Sequence, residues 1–181
     1  PMNEPGELSP GLGNRFWRLA LSGGASNLAD GVFKLASLKE LYIENSQIGN
    51  TELNFPTLSR SLQVLDLSEN DLGGTAVRCL ANALTDSTFP SLSTLNLSQN
   101  SKIGTEIEEI VDALDQRHES GQKSLEALDL SQTACTVEAA AKALRVSRVR
   151  DLRLFDNNLG SDGFRALSIW GGHPTLRSLD L

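Results

Sequence analysis

The feature that most constrains this chain is a pattern of leucines and asparagines that recurs along its length. Leu62, Leu65, Leu67, Asn70 and Leu72 occupy the fixed positions of a template LxxLxLxxNxL. Similar patterns, some of them partial, begin at seven first positions: Phe16, Leu38, Leu62, Leu92, Leu125, Val149 and Leu176. Neighbouring first positions lie between 22 and 33 residues apart. A repeat of this length predicts a solenoid of stacked units, in which each unit buries its apolar side against the next.

Each unit predicts a short strand followed by a turn. Residues around the second and third leucines alternate between apolar and polar, which indicates a strand with one buried face. Asn70, Asn100 and Asn157 follow their strands at the turn, where a short amide can donate and accept hydrogen bonds at once. Ser46 and Thr133 replace this Asn, so we expect weaker bonding there. One additional residue follows Asn100, which predicts a local bulge.

Helical periodicity follows most of the turns. Apolar stripes predict helices over four ranges: 75–84, 105–114, 136–144 and 161–167. The Thr or Ser that opens each range is a typical N-cap residue, and Thr105 with Glu108 fits a capping box. The shorter stretch after Thr51, which contains Pro56, predicts only a partial or 3₁₀ turn.

The strand template, the turn asparagine and the following helix together resemble the leucine-rich repeat family, in its ribonuclease-inhibitor-like subclass. The resemblance covers roughly residues 16 to 181. It implies an α/β fold in which a curved right-handed βα horseshoe carries a parallel sheet on its concave face and helices on its convex face. Unlike ribonuclease inhibitor, this chain is neither rich in cysteine nor long, so inhibition of ribonuclease is not implied.

The repeats also predict the domain organisation. We expect residues 1–14 to form an N-terminal tail or irregular cap, and residues 15–181 to form a leucine-rich repeat domain of about seven units. The last unit is truncated at Leu181 without a polar closing cap, although solenoids usually need one. We therefore expect a fragment of a larger scaffold, receptor or regulator; self-association through the uncapped C-terminal repeat is the alternative.

Net charge and cysteine content limit the class of partner and the cellular compartment that are expected. The net charge of -7 disfavours nucleic acid, which calls for clustered Lys and Arg, and favours a protein partner with a basic surface. The sequence has no long apolar run to span a membrane and no signal peptide. Two cysteines are too few for a disulfide framework. These observations predict a cytoplasmic location.

The sequence predicts neither an enzyme nor a cofactor site. His118 and His173 fall in different repeats, and no Ser, Cys or paired carboxylate is placed to form a catalytic group with either one. There is no metal-ligand spacing and no phosphate-binding loop. Cys135 takes the position of Leu72 in the template, which indicates a small buried apolar residue.

Candidate binding residues lie at the strand positions that flank the leucines. One column holds Tyr42, Asp66, Asn96, Asp129 and Arg153. Asp-Leu-Ser or Asn-Leu-Ser is the ordinary filling of this subclass, so an acidic column alone is mainly a family trait. Tyr42 and Phe155 depart from that filling, and exposed aromatic residues beside charges are typical contact anchors. The predicted partner-binding residues on the concave face are Glu40, Tyr42, Glu44, Asp66, Asn96, Asp129, Asp151, Arg153 and Phe155.

These residues favour a protein–protein interaction module that binds its partner by shape and charge on a preformed face. The alternative is a GTPase-activating protein or another regulator of a GTPase, because the activator of the Ran GTPase resembles the same subclass. Arg153 is the only arginine of the middle column. If the chain activates a GTPase and Arg153→Ala leaves that activity intact, the concave face does not mediate it.

The register of the repeats can be tested by truncating one predicted core leucine. Leu128→Ala should lower the free energy of unfolding by roughly 2–5 kcal/mol, as is typical of a buried leucine. Urea unfolding followed by circular dichroism measures this change. A loss below about 1 kcal/mol would show that the register of this repeat is misassigned.

Overall fold

The fold is described from a computed structural model, which describes residues 18–22, 37–53, 55, 60–146, 148–168 and 175–181. The predicted tail at 1–14, Phe16, the stretch around Pro56, and His173 lie outside the described residues. None of the described helices is both long and apolar enough to cross a membrane.

Strands and helices alternate along most of the described chain. The strands are β1 Arg18–Ser22, β2 Glu40–Glu44, β3 Val64–Asp66, β4 Thr94–Asn96, β5 Ala127–Asp129, β6 Asp151–Arg153 and β7 Ser178–Asp180. The α-helices are α1 Gly74–Thr85, α2 Ile107–Glu119, α3 Val137–Val146 and α4 Gly160–Ser168, and a 3₁₀ turn, Gly104–Glu106, leads directly into α2. The four predicted helices are therefore present. Helices α1 and α4 extend one residue beyond each predicted end, whereas α2 and α3 begin later than predicted and end beyond their predicted ranges.

The strands form one parallel sheet in chain order, from β1 to β7. Each strand pairs so that the second template leucine of one repeat lies beside that of the next: Leu19, Leu41, Leu65, Leu95, Leu128, Leu152 and Leu179. This pairing confirms the predicted register. A shift of one residue would turn every leucine to the opposite face of the sheet.

The core lies between the sheet and the helices. The layer leucines from Leu41 to Leu152 are at most 1% exposed, and they pack in one cluster with the apolar stripes of the helices, such as Leu80, Ile110 and Leu144. Successive helices also contact one another. The result is an α/β repeat fold in which each unit completes the core of its neighbour.

Of the four predicted N-caps, the one at Thr136 is confirmed, whereas Thr75, Thr105 and Ser161 each lie inside a helix or helical turn. The Thr136 hydroxyl accepts a hydrogen bond from the backbone N–H of Ala139 at 3.1 Å, as an N-cap should. Thr105 instead lies within the 3₁₀ turn, and its hydroxyl bonds the side chain of Glu106 at 3.3 Å. A residue in a helical turn lacks the extended backbone of a cap, so the capping box with Glu108 does not form.

Helix α1 is capped by the preceding repeat, which also corrects the prediction for Thr75. The residue before the helix is Gly73, in an extended conformation, and it has no side chain to offer. The side-chain oxygen of Asn50 accepts the backbone N–H of Thr75 at 2.7 Å instead. A Cβ at Gly73 would lie 2.8 Å from this same oxygen. The glycine therefore leaves space for a capping side chain that comes from the preceding repeat.

Buried asparagine side chains join consecutive turns into a ladder. The Oδ1 atom of Asn100 accepts the backbone N–H groups of Asn70 and Leu72, both at 3.0 Å. Its Nδ2 atom donates to the carbonyl of Leu67 in the preceding repeat at 2.9 Å and to two carbonyls of its own turn. One amide thus satisfies backbone groups in two repeats, which buried polar groups require.

The ladder is weaker where the asparagine is replaced, as predicted. The hydroxyl of Thr133 donates to Leu130 within its own turn at 2.7 Å, and that of Ser46 donates to Glu44 at 3.1 Å. Within the described residues, neither hydroxyl bonds to the backbone of the preceding repeat. A hydroxyl has one proton to donate whereas an amide has two.

The additional residue after Asn100 changes the turn, in agreement with the predicted bulge. Elsewhere the residues on both sides of the ladder position have positive φ angles, as at Glu69 and Asp71. In this unit Gln99 is followed by an added turn, and the next positive φ angle falls at Gly104. Ile103 still reaches full burial, because the added turn absorbs the extra length.

A buried arginine holds the loops of the longest repeat together. Arg117, in the last turn of α2, is fully buried. Its guanidinium donates to the carbonyls of Phe89 and Lys123, both at 2.7 Å, and to the side chain of Gln122 at 3.2 Å. Burial lowers the pKa of this guanidinium because it disfavours the charged form. These bonds tie the loop before β4 to the loop before β5.

The asparagine ladder yields a stability prediction. Asn100→Ala removes a side chain that satisfies five backbone groups, so the free energy of unfolding should fall by about 3 kcal/mol. Chemical denaturation measures it. Asn82→Ala on the exposed side of α1 is the control and should be close to neutral. A loss below about 1 kcal/mol for Asn100→Ala would contradict a structural role for the ladder.

Candidate functional site

The sheet has one face that the helices leave uncovered. The layer leucines point into the core, and alternate strand residues point away from it. We call this surface the open face. Its described residues are Arg18, Ala20, Glu40, Tyr42, Glu44, Val64, Asp66, Thr94, Asn96, Ala127, Asp129, Asp151, Arg153, Ser178 and Asp180, with Phe155 directly after β6.

All the predicted partner-binding residues belong to the open face. Strand pairing places Tyr42, Asp66, Asn96, Asp129 and Arg153 side by side in one row, which is the predicted column. A second row holds Glu40 and Asp151 with smaller residues between them. Glu44 ends β2 and Phe155 follows β6. The sequence therefore identifies neighbours in space from residues that are 24 to 33 positions apart in the chain.

The acidic side chains at the centre of the row have a structural task. Asp66 accepts the backbone N–H of Ser68 at 2.9 Å and its hydroxyl at 2.7 Å. Asp129 accepts the backbone N–H of Ser131 at 3.0 Å, and Asn96 makes the equivalent bond to its own turn. Each side chain stabilises the turn that ends its strand. This explains the recurrent Asp-Leu-Ser filling without any reference to a partner.

The row is also bonded from strand to strand. Asn96 donates from its amide to the second carboxylate oxygen of Asp66 at 2.7 Å. Arg153 lies 3.4 Å from the second oxygen of Asp129. The Arg153 side chain is 65% exposed whereas that of Asp129 is 17% exposed, so the arginine reaches over the face from its edge. Such an exposed pair contributes little to stability and is free to exchange partners.

A compact cluster surrounds Tyr42 at one end of the open face. Its hydroxyl donates to Glu40 at 3.3 Å, and the guanidinium of Arg18 lies 4.8 Å from the centre of its ring. Arg18 also pairs with Glu40 at 3.5 Å. Burial and the neighbouring Glu40 carboxylate raise the pKa of Tyr42. The ring is held in place by charges on both sides, as a preorganised contact would be.

An exposed aromatic residue marks the other end. Phe155 is 52% exposed, and its backbone carbonyl accepts the N–H of Gln132 at 2.9 Å. Asp151 and Arg153 precede it in β6 and are also exposed. The backbone of Phe155 is thus fixed while its ring faces solvent.

A groove connects the two ends. It has a volume of about 540 Å³ and runs across the strands between Tyr42 and Arg153. Val64, Thr94 and Ala127 lie along it at consecutive strands. Their side chains are small and uncharged, which creates the depression. Sequence reasoning missed these residues as a site, although small side chains between larger ones in one column are the signal that identifies it.

A second groove lies along the turns that follow the strands. Its volume is about 740 Å³, and polar residues such as Gln99, Gln132, Asp156 and Asn158 line it. Gln132 and Asp156 bond each other at 2.9 Å across it. The buried Cys135 at its base has a pKa raised to about 12 by burial, so this thiol stays protonated and unreactive.

The described residues contain no cluster of three or more His, Cys, Asp or Glu side chains that could hold a metal ion. His118 bonds the hydroxyl of Ser124 at 3.2 Å and lies in α2, away from the open face. Cys79 and Cys135 are both free. The open face presents charged groups, hydrogen-bonding groups and aromatic rings.

Comparison with known proteins agrees with the repeat pattern. A family model described as a leucine-rich repeat matches residues 58–81, which span β3 and most of α1. The chain contains a leucine-rich repeat. No curated protein matches the chain significantly. Leucine-rich repeats are a common architecture for protein–protein interaction, and the match therefore suggests a module of this kind.

The Tyr42 cluster can be tested by titration, because Tyr42 is the sole tyrosine of the chain. Its phenolate absorbance should appear with a midpoint above the usual value near 10. Glu40→Gln should lower that midpoint, since it removes the carboxylate that opposes ionisation. Glu119→Gln at the end of α2 is the control and should leave it unchanged. A midpoint that does not respond to Glu40→Gln in the folded protein, as verified by circular dichroism, would contradict the cluster.

Proposed function

We propose that this chain is a protein–protein interaction module that binds its partner on the open face, without catalysis. The observation that carries the proposal is the groove between Tyr42 and Arg153, on a face where Tyr42, Asp66 and Asp129 are already held by hydrogen bonds. A partner that binds a preformed face avoids the entropic cost of ordering it.

The two aromatic residues are the proposed anchors. Tyr42 lines one end of the groove, and Phe155 follows the strand whose residues Asp151 and Arg153 line the other end. Aromatic residues beside charges often contribute much of the binding energy of an interface. The remaining predicted residues, from Glu40 to Arg153, would supply orientation through charge. Asp66 and Asp129 also bond to the backbone of their own turns. This supports a role in orientation, because a carboxylate that is fixed by its own backbone is a better-defined contact for a partner.

The proposal includes the shape and subclass of the fold. Parallel strands in chain order with helices packed on one side support a curved solenoid, whose open face would be concave. The long repeat that contains α2, at 33 residues between Leu92 and Leu125, supports the ribonuclease-inhibitor-like subclass. In such a solenoid the groove would face the centre of curvature, where a partner contacts several repeats at once.

Affinity capture with paired variants tests the binding face. The wild-type chain should retain at least one protein that Tyr42→Ala/Phe155→Ala does not, because the double variant removes both anchors. Phe164→Ala is the matched control: Phe164 is 56% exposed on α4 and lies on the helix side. The expected result is a protein that wild type and Phe164→Ala retain and the double variant loses. The same proteins on all three chains would exclude the open face as the binding surface.

A further inference from the structure

The open face has a strong excess of negative charge. Its described residues include six carboxylates and two guanidinium groups, which are Glu40, Glu44, Asp66, Asp129, Asp151, Asp180, Arg18 and Arg153. Arg18 pairs with Glu40 and Arg153 with Asp129, so four of the six carboxylates have no arginine partner on the described part of this face. The charge that remains for a partner is therefore negative.

The uncommitted carboxylates lie on the strands that bound the groove at either end. Glu44 at the end of β2, Asp151 in β6 and Asp180 in β7 are all exposed. Within the described part of the chain, none of these three forms an ion pair. Asp66, by contrast, is bonded to Ser68 and Asn96 and has little capacity left. We call Glu40 and Glu44 the first acidic end, and Asp151 and Asp180 the second acidic end.

Among the described residues, the centre of the groove offers no carboxylate without a hydrogen-bond partner. Val64, Thr94 and Ala127 line it, and they occupy the same row as Glu40 and Asp151. The two carboxylates that also line it are already hydrogen-bonded, Asp66 to Ser68 and Asn96, and Asp129 to Ser131. A basic side chain placed at the centre would meet small residues and hydrogen-bonded carboxylates, while one placed near either end would meet exposed carboxylates. The face therefore discriminates by position as well as by charge.

We propose that the open face binds a protein segment that carries a basic side chain near each end and uncharged residues between them. The spacing follows from the sheet: β2 and β6 are separated by four strand spacings, and β2 and β7 by five. At about 4.8 Å per strand, the basic groups should lie about 19–24 Å apart. This inference rests on the proposed function, and it names the chemistry of the partner of that same face.

A displayed peptide library tests the inference directly. The library contains random peptides of about 12 residues, which can span 19–24 Å with residues to spare when extended. Peptides are selected on the folded chain and then bound to three variants. Ala127→Tyr fills the centre of the groove without adding charge. Glu44→Gln/Asp151→Asn removes one carboxylate from each acidic end, and Glu119→Gln/Glu138→Gln removes the same charge from the helix side.

The expected result has three parts. Peptides whose binding is abolished by Ala127→Tyr should carry Lys or Arg near both ends. Glu44→Gln/Asp151→Asn should weaken their affinity about tenfold, since each exposed ion pair is worth up to about 1 kcal/mol. Glu119→Gln/Glu138→Gln should leave their affinity unchanged. Binding should weaken as salt rises, because the charges are exposed.

The outcomes separate this inference from the proposed function. The inference would be overturned by peptides whose binding is abolished by Ala127→Tyr but which lack basic residues, or whose affinity is unchanged by Glu44→Gln/Asp151→Asn. Such peptides would still support the open face as a binding surface. A library that yields no peptide sensitive to Ala127→Tyr would contradict the proposed function as well. Thermal unfolding of each variant verifies that lost binding is not lost folding.

Discussion

The structure depends on one constraint, which is that each repeat must place its second leucine in the same buried layer. Parallel pairing sets Leu65 beside Leu95 and Leu95 beside Leu128, so the strands cannot shift independently. The segments that return to the next strand are free of this constraint. The return segment before β5 contains the 13-residue helix α2, whereas that before β6 contains the 10-residue helix α3. Regular strands with irregular returns therefore satisfy a single rule of register.

Sequence reasoning predicted what the register fixes and missed what depends on other repeats. The leucine layer, the turn asparagines and the four helices follow from local periodicity. The cap on Thr75 does not, because its acceptor is Asn50, 25 residues earlier. Arg117 gave no signal either: it resembles an ordinary basic residue at a helix end, yet its partners are mostly backbone carbonyls, one of them 28 residues earlier in the chain at Phe89. Such bonds depend on tertiary placement, which spacing alone does not reveal.

The open face also combines features that the sequence predicted with one that it did not. Its rows were predictable because strand residues alternate, and the bonds of Asp66 and Asp129 to their turns explain why acidic residues recur there. The groove was not identified, although its residues were visible, because a depression arises from three small side chains on adjacent strands. Their adjacency belongs to the sheet, where Val64, Thr94 and Ala127 become neighbours. A column read for size as well as for charge would have found them.

The cap that Asn50 donates to α1 has a consequence for how the chain unfolds. Helix α1 lacks a capping side chain of its own, and the turn amides of Asn70 and Asn100 bond backward into the previous repeat. Each unit is therefore stabilised mainly at its boundary with its neighbour, and little within itself. In a one-dimensional array with strong coupling between neighbours, local melting of one unit exposes unpaired groups in the next. The described repeats should consequently lose structure together, as one cooperative block, instead of fraying unit by unit from an end.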